Sequence, residues 1–92
     1  MIEIMIHLEA DAKTPLYEQI YNYIKKNMED GKISRGEKLP STRFMAKYLQ
    51  ISRSTVELAY EQLRSEGYIE SVPCKGYFIC DIAELYRLER HV

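Results

Sequence analysis

Two arginines, Arg43 and Arg53, each follow hydroxyl side chains: Ser41-Thr42-Arg43 and Ser52-Arg53-Ser54-Thr55. Serine and threonine oxygens cap helix starts, and a helix start presents unpaired backbone N–H groups and the positive end of the helix dipole. An arginine placed there offers a planar, permanently charged fork for oxyanions and for base edges. The chemistry on offer is charge-assisted hydrogen bonding rather than bond breaking. No nucleophile–base–orienter set or phosphate-binding glycine loop accompanies the arginines, so the chain is read as a binder and not an enzyme. Metal-ligand spacing is missing too, because Cys74 and Cys80 are isolated thiols and His7 and His91 lie at opposite ends. Such cysteine usage fits a reducing cytosol.

Both arginine clusters need helices to carry them. From Ser41, Met45, Ala46 and Leu49 make an inward stripe through residue 49. After Gln50 and Ile51, Ser52 opens a second stripe of Val56, Ala59, Tyr60 and Leu63. Two helices joined by so short a turn form a helix-turn-helix, with helix 52–66 as its second member. An earlier helix begins at "TPLYEQIY", where Thr14 is expected to cap and Pro15 to take the first helical position. Its apolar face is Tyr17, Ile20, Tyr21, Ile24 and Met28, and Gly31 closes it. "ISRGEKLP" then reads as a turn, with Leu39 extended ahead of Pro40.

Gly67 suits the exit of the third helix, and "YIESV", "PCKG" and "YFIC" read as a hairpin whose tip is residues 73–76. The fold class expected is therefore mainly α with a small β-hairpin, a winged helix-turn-helix of three helices plus a wing, occupying residues 14–80. Residues 1–13 form an extended segment in which Ile2, Ile4, Ile6 and Leu8 alternate as in a strand, and residues 81–92 form a linker or short helix. At 92 residues there is room for one small core. No apolar run approaches the roughly 20 residues of a membrane span.

A net charge of −1 argues at first against a polyanionic partner, but the charge is unevenly spread. From Lys32 to Lys75, eight lysines and arginines against five glutamates give +3, and the remaining residues carry −4. Recognition depends on where basic groups cluster, which makes the middle of the chain the candidate surface. The apolar stripe of helix 52–66 leaves Arg53, Ser54 and Thr55 outside it, at the end that enters a major groove in helix-turn-helix proteins. Ser52 caps that helix or offers its hydroxyl to a phosphate. Arg43 and Lys47, one turn apart on helix 2, are placed for phosphates, and Lys75 at the hairpin tip for an adjacent minor groove or backbone. Arg35 and Lys38 either meet phosphate or keep their turn hydrated. Arg64 is read as offsetting the helix dipole. Most of the eight tyrosines are read as packing residues. Phe44 and Tyr48 are expected to lie over helix 1, with a patch for a partner subunit as the alternative.

The run "GEKLPSTRFMAKYLQISRSTVELAYEQLRSEGYIESVPCKGYFI" closely resembles the GntR-type winged-helix DNA-binding domain, and the resemblance reaches back to "TPLYEQIYNYIKKNMEDGKI", covering residues 14 to 80. "TPLYEQIY" with "AYEQLRSEGYIES" looks most like the MocR branch, where an aminotransferase-like domain binding pyridoxal phosphate follows, and next most like the YtrA branch. The resemblance implies a cytoplasmic bacterial transcription regulator that docks a homodimer on double-stranded operator DNA, with an effector domain outside this chain. It implies DNA contacts at Arg35, Arg43, Ser52, Arg53, Ser54, Thr55, Lys75 and Gly76. No cofactor is expected in these residues; pyridoxal phosphate would belong to the following domain. Where relatives often carry glycine at the wing tip, this chain has Cys74. The competing reading is a winged helix that binds protein without reading DNA.

Overall fold

The computed structural model describes residues 8–9 and 13–80. The expected strand at 2–8 (apart from Leu8) and the segment 81–92 lie outside the described residues. Helix α1 (Leu16–Glu29), α2 (Thr42–Leu49) and α3 (Arg53–Ser65) are followed by strands β1 (Ile69–Val72) and β2 (Gly76–Ile79). One stripe of each helix meets in a common core: Ile20, Ile24 and Met28 from α1, Met45 and Ala46 from α2, and Val56, Ala59, Tyr60 and Leu63 from α3. These are the inward positions that the 3.6-residue period selects, except that Tyr17, Tyr21 and Leu49 are only half-buried.

The start of α1 differs from the sequence expectation. Pro15, with ψ at 152°, is itself the capping residue, no side chain caps the helix, and Leu16 is the first helical residue. Thr14 is used through its carbonyl, which accepts from Gln19 Nε2 at 2.8 Å. The same Gln19 amide also exchanges hydrogen bonds with the backbone of Glu9. A glutamine five residues on thus does the tethering, a contact that no capping rule anticipates. At the other end Asp30 closes the helix and Gly31 takes the expected left-handed turn, φ 78°.

A clasp joins α1 to the far end of α3. The Tyr21 hydroxyl donates to Glu66, which also accepts from Gln62 Nε2, and the Lys25 ammonium lies 5.6 Å and 5.4 Å from the ring centroids of Tyr21 and Tyr68. The hydrogen bonds from Tyr21 and Gln62 hold the Glu66 carboxyl below its ordinary range.

The wing is an antiparallel pair in the register Ile69↔Ile79 and Val72↔Gly76. Its other edge is not bare. Gly36 N–H donates to Ile79 O, Ile79 N–H to Glu37 O and Leu39 N–H to Tyr77 O, each at 2.9 Å, with Lys38 opposite Phe78. Residues read as a simple turn therefore act as a third rung beside β2. A partner roughly forty positions away leaves no local periodicity in so short a segment, so the pairing is invisible to pattern reading.

Candidate nucleic-acid interface

Helices α2 and α3 are capped as their sequences require. Ser41 Oγ accepts from Phe44 N–H at 3.1 Å, and Ser52 Oγ accepts from Thr55 N–H at 3.3 Å. Between them Gln50 reverses the chain in the left-handed conformation, φ 57°, and its N–H returns to Lys47 O. The turn holds the two amino termini in a fixed relation, and a side chain bridges them. Arg53 Nε donates to Thr42 Oγ1 at 3.3 Å and lies 3.0 Å from Glu57 Oε1. Thr42, buried, is the position between the serine and arginine of the first cluster. It was missed as a functional residue, because a threonine at the start of a helix reads as part of the cap.

The shared Nε fixes the stem of Arg53 and leaves its Nη edge unbonded among the described residues. That edge is the fork that fits a guanine O6/N7 pair or a phosphate. Ser54 is exposed beside it. Ser52 Oγ and Thr55 Oγ1, 2.7 Å apart, form a hydroxyl pair at the same helix start. Beyond this first turn the outward face of α3 turns acidic: Glu57 is tied to Arg53 and Glu61 to Arg64. The hydrogen bond from Arg64 holds the Glu61 carboxyl below its ordinary range. Arg64 is thus engaged by a carboxylate one turn away and stays with its own helix. The amino end of α3 presents Arg53 with the hydroxyls of Ser52, Ser54 and Thr55, whereas at the far end Arg64 is held by Glu61 and the Ser65 hydroxyl donates to Gln62 O.

Arg43 and Lys47 are exposed one turn apart on α2. The adjacent side of α2 corrects the expectation for Phe44 and Tyr48. They do not cover helix 1 but stack on each other, centroids 6.0 Å apart and planes within 8°, at 51% and 56% exposure. The inward stripe of Thr42, Met45 and Ala46 already fills the side facing the core, so an aromatic pair at 44 and 48 must point to solvent. Leu58 of α3, 57% exposed, is a third uncovered apolar side chain that sequence reading did not single out.

The wing tip carries Lys75, exposed, whose N–H closes the turn onto Val72 O at 3.0 Å. Cys74 sits at φ 64°, a conformation that favours glycine. Gly76 has φ 118°, and a Cβ there would lie 3.1 Å from Lys38 Cε. Arg35, by contrast, precedes the Gly36–Ile79 rung at the end of β2 away from the tip. The arrangement brings Arg53, Ser52, Ser54 and Thr55 together, and sets Arg43 and Lys47 on the helix whose Thr42 hydroxyl meets Arg53. Lys75 is carried on a separate projection. Among the described residues there is no group of three metal-ligating side chains and no helix long and apolar enough to cross a membrane.

Residues 16–79 match the gntR family of bacterial regulatory proteins. The chain is 51% identical over 77 residues to the HTH-type transcriptional regulator YdeL of Bacillus subtilis, covering 84% of this chain but only 17% of that protein's length. In three dimensions it is similar to YtrA from Sulfolobus acidocaldarius, a GntR-family transcription factor, with a TM-score of 0.77 and 32% identity over 94% of this chain and 93% of that one. It is also similar to the DNA-binding domain of AraR in complex with operator ORE1, with a TM-score of 0.69 and 27% identity over 84% and 94% of the two chains.

Proposed function

The chain belongs to the gntR family of bacterial regulatory proteins, and on that premise we propose that it reads double-stranded operator DNA as the amino-terminal domain of a longer transcriptional regulator. The observation that carries this reading is the amino end of α3. There a buried stripe on one side leaves Arg53 and Ser54 exposed on the other, with Arg53 braced from Thr42 through Nε. In the proposed docking α3 enters the major groove, with Arg53 and Ser54 at base edges. Ser52 and Thr55 sit near a phosphate, as do Arg43 and Lys47 on α2. Lys75, with Gly76, approaches the minor groove or the backbone beside it, and Arg35 meets flanking phosphate.

The AraR domain's operator complex supports DNA over a protein-only partner, and the regulators among the relatives support a binding role rather than catalysis. We place the protein in the cytoplasm, docking as a homodimer on two half-sites. The effector domain, and the pyridoxal phosphate of a MocR-like one, belong to sequence outside these residues.

The test is selection of duplexes from a random library, followed by fluorescence anisotropy at several salt concentrations. Arg53→Ala is expected to lose about 1–3 kcal/mol of binding and to relax sequence preference, and Lys47→Ala to weaken all duplexes alike with a salt slope lower by about 1. Parent protein that selects no sequence and shows no salt-dependent binding would refute the reading.

A further inference from the structure

Lys38 is a basic residue that the fold brings against the wing. It lies opposite Phe78 on the edge of β2 away from β1, and Phe78 in turn pairs with Glu70 of β1, so the three residues form one rung across the wing. A lysine in that position has a carboxylate two strands away on the same rung, yet Lys38 makes no ion pair among the described residues. Its side chain runs along the strand instead, toward the tip. Cε lies 3.1 Å and Nζ 3.8 Å from where a Cβ on Gly76 would stand. Leu39 beside it is buried, which anchors the backbone from which the stem leaves.

We propose that Lys38 is a DNA-contacting residue of the wing, its ammonium meeting a backbone phosphate alongside the one reached by Lys75, and that Gly76 is glycine partly because the Lys38 stem occupies the space above its Cα. The inference rests on the DNA-binding reading and extends it. A wing with Lys75 alone is a single flexible charge at a turn. A second ammonium, seated against the strand next to that turn, makes the projection a two-point grip on the phosphate backbone, where positioning contacts carry register without reading bases. Lysine suits this task as a compact charge on a long stem, and the glycine gives the stem a track along the sheet.

The experiment uses a duplex recovered by selection with the parent protein and compares Lys38→Met, which keeps the stem over Gly76, with Lys38→Arg, which keeps the charge. Lys38→Met is expected to bind roughly three- to tenfold more weakly on every duplex, with a salt slope shallower by about 0.9, while Lys38→Arg binds like the parent. Neutral methylphosphonate linkages placed one at a time beside the half-site should include one that weakens the parent and not Lys38→Met. Thermal melts of both variants should match the parent. If Lys38→Met keeps the parent's affinity and slope while Arg53→Ala loses its sequence preference, the role assigned to Lys38 is wrong and the docking of α3 stands. Absence of salt-dependent binding by the parent would overturn both.

Discussion

Arg53 shows how one residue is prepared before any partner arrives. Its Nε hydrogen donates to Thr42 Oγ1 and the same nitrogen forms an ion pair with Glu57 Oε1, so part of the rotamer freedom of a long side chain is already lost in the free protein and need not be lost on binding. The position of Arg53 at a helix start was legible from its serine and threonine neighbours. Its brace was not, since Thr42 lies eleven residues earlier. Cys74 is the opposite case, a residue whose type and backbone disagree. At φ 64° a side chain costs about 1–2 kcal/mol relative to ordinary backbone, partly offset in glycine by the greater freedom of the unfolded chain. Cys74→Gly is therefore expected to raise stability by about 0.5–1 kcal/mol, seen as a higher melting temperature in calorimetry. A lower one would mean that the tip is held by the cysteine side chain itself.

Among the elements, the helix-turn-helix is written locally: two serine caps, two stripes of matching period and a turn too short for anything but a sharp reversal. What fixes it to the rest of the domain is Tyr60, the largest fully buried side chain. Its hydroxyl donates to Pro40 O at 2.7 Å and its ring meets Tyr77 edge-on, centroids 5.0 Å apart. One residue of α3 thus holds both the approach to α2 and the underside of the wing. Burial, with Tyr77 nearby, pushes the phenol far above its ordinary value, so it stays a donor throughout the usable pH range. Tyr60→Phe keeps the packing but leaves a buried carbonyl without this donor, and should cost about 1–3 kcal/mol in urea unfolding. A loss within experimental error would mean that water or a shifted backbone replaces the bond.

At the scale of the molecule, two features set the amino end of α3 apart from its support. Charge is positive across residues 32–75 and negative elsewhere. The Tyr21–Glu66 clasp, with Lys25 between two tyrosine rings, ties α1 to the end of α3 remote from Arg53. Because Glu66 in the folded protein titrates below its ordinary 4.5, its contribution is complete above that value and is lost as pH falls through the lower, folded one. Glu66→Gln should accordingly shrink the drop in urea-unfolding free energy between about pH 6 and about pH 3, by less than roughly 1 kcal/mol since solvent screens an exposed group. An unchanged drop would place the acid sensitivity elsewhere.

The sequence by itself determined the three helices, the hairpin and the arginine-bearing helix start, because each is specified by contacts within a few residues: an i, i+3, i+4 stripe, a hydroxyl reaching the N–H three places on, a glycine where the chain turns left-handed. Tertiary structure alone decided that residues 36–39 pair with the edge of β2 away from β1, that Thr42 braces Arg53, that Phe44 and Tyr48 face solvent, and that Lys38 leans on the wing. Each of these depends on which surfaces meet across the core or along a sheet edge between distant segments, and such meetings leave no periodicity in the chain to read.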